Sequence, residues 1–414
     1  MIKAKEKKSS VGLTIGLCFV IIFCGLGAWA QRAVFTRPIT IALGIDRTIF
    51  SISNTIRYVV TAIVNVFFGY LVGRFGVRKL VISSFILMTL APLCYALANS
   101  IWLIYLGGAL LGVGLSFAST AIIGYIVNKI CKKNKGTIMG LVLCANGLTG
   151  AILVNVYTPL ITAGTFGYRN AFFVMALLAF VAFLLLLIFF KEPQENFTQE
   201  DLTTKQEKKE NWIGIDYSVA KKKAFFYLAC VCVLFTGLTL TAVSSNARPH
   251  MEDRGVAMSV LTIIATFSSL FLALFKFLSG FLYDRLGLRV TITIQCAAML
   301  IAIIICVIIT PELGWLGIIY SILHGVAMPL ETVMIPIYAK DLFGQKSFAK
   351  VLGIFVSLNQ IGYAFGDPIM NIFYTVFGSY DIGLIVMFIV TVALIIALQF
   401  VISASNKLKK IDQL

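Results

Sequence analysis

Two stretches decide the fold: Gly69-Tyr-Leu-Val-Gly73-Arg74-Phe-Gly76-Val-Arg78 and Gly280-Phe-Leu-Tyr-Asp284-Arg285-Leu-Gly287-Leu-Arg289. Gly, Leu, Arg, Gly and Arg recur in them at identical spacing, 211 residues apart. Gly140 and Asn146 are likewise echoed by Gly353 and Asn359, 213 residues apart. An offset of half the 414-residue chain is the mark of an internal duplication. Each copy closes a long apolar run, so the repeated unit is a set of membrane helices.

Outward from these stretches, apolar runs separated by short polar ones continue to both ends. They predict helices over roughly 11–32, 48–72, 78–98, 101–127, 137–160 and 170–190, then 224–245, 257–282, 288–310, 314–338, 350–377 and 381–404. The fold class expected is an all-α membrane protein, with twelve transmembrane helices in two pseudo-symmetric six-helix bundles. Residues 1–190 form the first bundle, 191–223 a polar cytoplasmic linker and 224–414 the second bundle. Composition agrees. The apolar share is 59% and the charged share 13%, with mean hydropathy +0.96. A soluble chain carries about 25% charged residues. These values exclude an ordinary soluble enzyme, a disordered chain and a nucleic-acid-binding domain.

The net charge of +16 is a matter of topology. With the N-terminus inside, 26 of the 34 Lys and Arg fall in cytoplasmic segments, six on the opposite side and two within helices. Both termini are expected to be cytoplasmic, in a plasma membrane. Lys3 to Lys8 followed by an apolar run resembles a secretory signal, but the run is long for one and eleven more helices follow it. The Asn196-Phe-Thr198 glycosylation triplet falls on the cytoplasmic side and is read as coincidence. The nine cysteines show no CxxC and there are two histidines, so no metal or cofactor is expected. No nucleophile–base pair or phosphate loop suggests an enzyme.

The Gly-x-Leu-x-Asp-Arg-x-Gly-x-Arg pattern, present twice in a six-plus-six layout, resembles the loop signature of the major facilitator superfamily. The resemblance covers nearly the whole chain. It implies a monomeric secondary transporter whose halves rock about a central site, with Gly69, Arg74, Gly76, Arg78, Gly280, Asp284, Arg285, Gly287 and Arg289 as the gating motif. Small glycines let helices approach, and the arginines can reach acids or helix C-termini of the neighbouring bundle. The first copy departs from the pattern, because Gly73 stands where the family has Asp. An acidic latch there is weakened or supplied elsewhere.

Four ionisable residues lie inside predicted helices: Arg57, Lys276, Glu331 and Asp367. Such residues are functional candidates because they are costly in a bilayer. Lys276, eight residues before Asp284, is about 12 Å along its helix from the loop, too deep to snorkel easily. It needs a counter-charge: a substrate carboxylate, or a permanent partner in Asp367 or Glu331. Its place four residues before Gly280 resembles the basic residue of the monocarboxylate and oxalate branch. Phe35-Thr-Arg37 resembles an anion-capturing segment at the outer mouth of that branch. Arg57 would add a cation from the first half, suited to a small dicarboxylate. Gln31, Tyr157, Asn359 and Gln360 complete the candidate substrate contacts. Asp367, in Gly366-Asp367-Pro368, and Glu331 are the candidate proton carriers, and the eleventh helix is expected to kink or break at that Pro. The branch often has an Asp four residues before its basic residue, and this chain has Leu272 there. The function expected is transport of a small organic anion, with proton coupling or anion exchange. The alternative is efflux of drugs or amphiphiles, although the fifth helix lacks the Gly-Pro signature frequent in drug/proton antiporters.

Overall fold

The computed structural model describes residues 2–30, 32–45, 47–131, 133–193 and 214–411. Eight helices among them are long and apolar enough to cross a bilayer, or ten if each of two bent pairs counts as one span. One of the eight, Ile263–Ile308, has 46 residues, about two spans. Its Gly287 leaves helical geometry at φ 78°. Dividing it there and adding the shorter apolar helix Val11–Gly27 yields the twelve spans that the sequence predicts.

In the first half the spans are Ile2–Ile22 with a π-bulge Phe23–Gly27, the bent pair Arg47–Val66 and Phe68–Phe75, and Val77–Ala96. The fourth is Ile101–Ser116 with Thr120–Ile130, the fifth Lys135–Leu143 with Ala145–Thr162, and the sixth Gly167–Phe189. In the second half they are Ala224–Asp253, then the eighth and ninth inside Met258–Ile308. The tenth is in three pieces, Leu316–Ala327, Pro329–Thr332 and Met334–Phe343. Phe348–Phe377 and Asp381–Ile411 complete the bundle. Apolar side chains on the outward faces, such as Leu177, Ile188, Ile389 and Phe400, are exposed, as lipid contact requires.

The first span ends earlier than expected, and the short helix Thr36–Leu43 replaces the outer loop that carries Arg37. The eleventh span runs unbroken through Pro368, contrary to the expected break. Gly366 lies so close to the seventh helix that an added Cβ would come within 2.6 Å of the Leu238 carbonyl. That packing supports the segment, and Pro forfeits just one helical hydrogen bond. Interruptions fall elsewhere: besides the 63° bend at Phe67 in the second span and the division at Cys144 in the fifth, two longer breaks lie at Phe117–Ser119 in the fourth and between Ala327 and Met334 in the tenth. The tenth bends by 47° at Val333. Both breaks occupy the same place in their repeats.

Gly76 and Gly287 share φ 78°, a region that L side chains avoid, so both copies of the motif make the same turn. The halves touch along two seams. On one, Gly136 and Gly140 of the fifth span meet the backbone of Gly280, Lys276 and Phe277. On the other, Ser357 donates to the Ala62 carbonyl at 2.6 Å, and Gly353 packs against the Asn65 carbonyl. Asn128 also donates to Gln345 at 2.9 Å. These contacts lie between the middle of the bundle and the face that bears the two motifs, called the basic face below.

Candidate functional site

The basic face carries a latch between the halves. The Asp284 carboxylate accepts hydrogen bonds from the N–H groups of Gly136 (3.1 Å) and Thr137 (2.7 Å) and from the Thr137 hydroxyl (2.7 Å). The first N–H groups of a helix have no intrahelical partner, and a carboxylate there meets the positive end of the helix dipole. Gly136 and Gly280 permit the approach, because a Cβ on Gly280 would overlap the Gly136 carbonyl.

The arginines do not reach across, contrary to the sequence-based expectation. Arg78 donates to the Leu187 carbonyl at 3.0 Å, near the end of the sixth span in its own half. Arg289 donates to Ser403 of the twelfth at 2.5 Å. Arg74 reaches Tyr70 at 2.6 Å and Arg285 lies 4.3 Å over Phe281, each along its own helix. The turns at Gly76 and Gly287 put Arg78 and Arg289 in the first turn of the next helix, which packs within its own half. Gly73 leaves open space where the second copy has its acid. A different acid, Glu192, binds the N–H groups of Val77 (2.9 Å) and Arg78 (2.8 Å), capping the third span inside the first half. Sequence reasoning missed Glu192, although an acid just beyond the sixth apolar run was its signal.

Above the latch lies a buried charge cluster. Lys276 is 1% exposed and Glu331 3%. Each charge acts on the other, yet they do not close to an ion pair, and Lys276 makes no hydrogen bond among the described residues. Glu331 sits on the four-residue piece Pro329–Thr332, between the breaks of the tenth span. Its Oε2 is buried with no hydrogen-bond partner among the described residues, and the same holds for Thr332 Oγ1 and His324 Nε2 on that span. Asn54 Oδ1, Arg57 Nε, Asn146 Oδ1 and Asn359 Nδ2, on the second, fifth and eleventh spans, are also buried and unpaired. Buried polar atoms are normally satisfied. Such a concentration, on the helices that form the two seams and on the tenth, marks a polar interior fit for water or a polar ligand.

The other candidates separate. Arg57 lies 4.0 Å over the Tyr58 ring, which stacks on Tyr363 of the other half at 5.5 Å. It stands twelve residues before Gly69, whereas Lys276 stands four before Gly280. The difference is eight residues, about 12 Å along a helix. The two cations therefore lie at different depths and do not suit both ends of one small dicarboxylate. Asp367 accepts from Asn246 (3.1 Å) and Asn371 (3.3 Å), away from Lys276. The break expected beside it belongs to Glu331. Tyr157 is fully buried in an aromatic cluster with Phe35 (5.4 Å), and its hydroxyl reaches the Ala28 carbonyl at 3.4 Å. It is a packing residue. Gln360 is half-buried next to Asn359. Gln31 and the side chain of Arg37 lie outside the described residues, as do Asn196 and Trp212. Among the described residues no group of three His, Cys, Asp or Glu can hold a metal.

The family model described as Major Facilitator Superfamily matches residues 17–247 and, a second time, 227–412. The chain belongs to the Major Facilitator Superfamily. Over 252 residues it is 23% identical to the "Uncharacterized MFS-type transporter YcxA" of Bacillus subtilis (strain 168), covering 58% of each chain. Over 151 residues it is 30% identical to the "Multidrug resistance protein MdtG" of Enterobacter lignolyticus (strain SCF1), covering 36% of this chain and 35% of that one. The match thus spans little more than half of one curated relative and about a third of the other. The crystal structure of FucP in the outward conformation shares the fold, with TM-score 0.70 at 13% identity over 94% of this chain and 98% of that one. As a major facilitator this chain is lopsided: its cross-half acid and its buried Lys–Glu cluster both belong to the second half.

Proposed function

We propose that this chain is a secondary transporter that moves a small organic anion across the plasma membrane by alternating access, with Lys276 as the partner of the substrate carboxylate. The observation that carries this reading is a buried lysine with neither hydrogen bond nor closed ion pair among the described residues, beside helix breaks and unpaired polar atoms. A buried charge needs a partner, and a carboxylate brought by the substrate supplies one. The depth difference between Lys276 and Arg57 favours a monocarboxylate held at Lys276, with Arg57 attracting the anion from the far side. Residues 1–190 and 224–414 are then the rocking bodies and 191–223 the tether. The excess of Lys and Arg on the basic face supports a cytoplasmic position for that face and both termini. The closed seams on that face make the described conformation one that is sealed toward the cytoplasm. The transporter works as a monomer.

The test is a thermal-shift panel of carboxylates on purified protein, wild type against Lys276→Ala. A carboxylate that stabilises wild type and not the variant supports the reading. Equal stabilisation of both refutes it. The partial match to MdtG favours a second reading, efflux of an amphiphilic cation held by Glu331. Drug hypersensitivity of a knockout, with no carboxylate stabilising the protein, would select that reading instead.

A further inference from the structure

We propose that the basic face holds a site for a small divalent oxyanion, gripped between Lys135 of the first half and Lys340 of the second, and that the bound ion keeps this face closed. The site is separate from the Lys276–Glu331 cluster. It stands whether or not the transported substrate is an anion.

The starting observation is a like-charge contact across the seam. Lys135, at the start of the fifth span, comes within hydrogen-bonding reach of Lys340, in the last turn of the tenth. Two ammonium groups side by side repel, so closing the basic face brings together charges that favour opening it. The acids next to them are committed elsewhere. Asp284 binds the N–H groups of Gly136 and Thr137, and Asp341 accepts from the Tyr283 hydroxyl at 2.9 Å. Among the described residues Lys340 closes no ion pair with an acid.

The surroundings hold the two cations in place and leave them reachable. Lys135 Nζ donates to the Asn128 carbonyl (3.1 Å) and to Asn128 Oδ1 (3.2 Å). Asn128 Nδ2 in turn donates to Gln345 Oε1 across the seam. That bond turns the Gln345 amide so that its Nε2 is a further donor beside Lys340. Both lysines are half-buried and Gln345 is exposed, so water and ions at the basic face have access. Ammonium groups bind phosphate-type oxygens as point charges. One dianion cancels both charges, whereas a monoanion leaves one standing. Because the lysines come from opposite halves, one ion bridges them only while the seam is closed. A ligand that binds one conformation shifts the population toward it. The ion therefore acts as a brake on opening at the basic face.

The experiment uses full-length protein carrying one spin label in each half at the basic face. The probe is sulfate, compared with chloride at equal ionic strength and at low concentration, where general salting-out is small. Sulfate is expected to shorten the label-to-label distance and raise the melting temperature of wild type, and chloride to do neither. Without sulfate, Lys340→Gln is expected to be more closed than wild type, because the repulsion is gone. Its sulfate affinity is expected to fall about tenfold, the loss of one hydrogen bond to a charged group. Lys340→Arg keeps the charge and the response, which separates loss of the site from loss of the fold. Lys276→Met also keeps the response. Equal effects of sulfate and chloride on wild type overturn the proposal, as does a full sulfate response in Lys340→Gln. So does a sulfate-free Lys340→Gln that is more open than wild type. A response lost in Lys276→Met overturns it by placing the ion at the central cluster. Lys340-dependent closure by phosphatidylglycerol alone overturns it in favour of a lipid headgroup.

Discussion

Replacing Lys276 by Met removes the charge and keeps most of the volume. The side chain is 1% exposed, so no surface group can take its place without rearrangement. At about 4 Å, and with an effective dielectric constant of about 20, an ammonium–carboxylate pair is worth about 4 kcal/mol. Loss of that contact weakens carboxylate binding roughly 1,000-fold. The variant also leaves Glu331 as the nearest charge, which repels an incoming anion. Lys276→Arg keeps the charge on a different, planar head and is expected to retain part of the affinity. Binding is measured by thermal shift with a saturating carboxylate, since stabilisation follows RT ln(1 + [L]/Kd). The double variant Lys276→Met/Glu331→Gln controls for folding, because replacing both members of a buried charge pair is often neutral or stabilising. It is therefore expected to melt at or above either single variant. A Lys276→Met protein that binds within about tenfold of wild type would refute the reasoning, since the pair would then contribute less than about 1.4 kcal/mol.

Asp284→Asn removes the carboxylate from the start of the fifth helix, a capping contact worth about 0.5–2 kcal/mol. It should lengthen label-to-label distances between the halves at the basic face, measured by electron spin resonance. Gly73→Asp fills an open position with the missing acid, in reach of the uncapped start of the eleventh helix. It should shorten those distances and slow exchange of substrate across proteoliposomes. Gly280→Val forces a side chain against the Gly136 carbonyl and should cost about 1–3 kcal/mol in the closed basic face, read as increased labelling of engineered cysteines from that side. Arg57→Gln, which removes a cation about 12 Å from Lys276, should weaken carboxylate affinity far less than Lys276→Met in the same thermal-shift assay.

The bundle was legible because its signals are long: apolar runs of about span length, and a duplicated motif. The two turns at Gly76 and Gly287 needed no tertiary information, since a positive φ follows from the glycine and its place in the motif. The direction of the latch was not legible. Asp284 and Arg285 are adjacent in sequence, and which of them crosses between halves depends on the helix that the second half leans against. Local chemistry points to Pro368 for the broken helix, yet the helix runs on through that segment, with Gly366 packed against the seventh. The break appears between Ala327 and Met334, with Pro329 and Pro336 nearby, in a segment that read as continuous apolar helix. Tyr157 misled for a related reason: a tyrosine at mid-span looks like a ligand contact until its ring is seen packed against Phe35.

Comparing the repeats position by position explains where the chemistry is kept. Lys276 corresponds to Asn65, Asp284 to Gly73, and Glu331 to the uncharged stretch Ala118–Thr120 at the break of the fourth span. Asn65 is fully buried and binds the Thr61 carbonyl of its own helix at 2.8 Å. The first half thus has the shape of the site, including the helix break, without charges at the matching positions, and contributes Arg57 at a different depth. A rocking carrier has to hold its substrate while each side opens in turn. If both halves gripped the anion with a cation, opening would pull one pair apart at every cycle, at about the full Coulomb cost estimated for Lys276. With Lys276 and Glu331 both in the second half, the charge pairing travels with that half, and among the described residues the first half has to part from neutral contacts, the Asp284 latch and the contact of Lys135 with Lys340. One charged latch of cap strength, about 0.5–2 kcal/mol, can be opened thermally, and an acid at Gly73 would about double that cost.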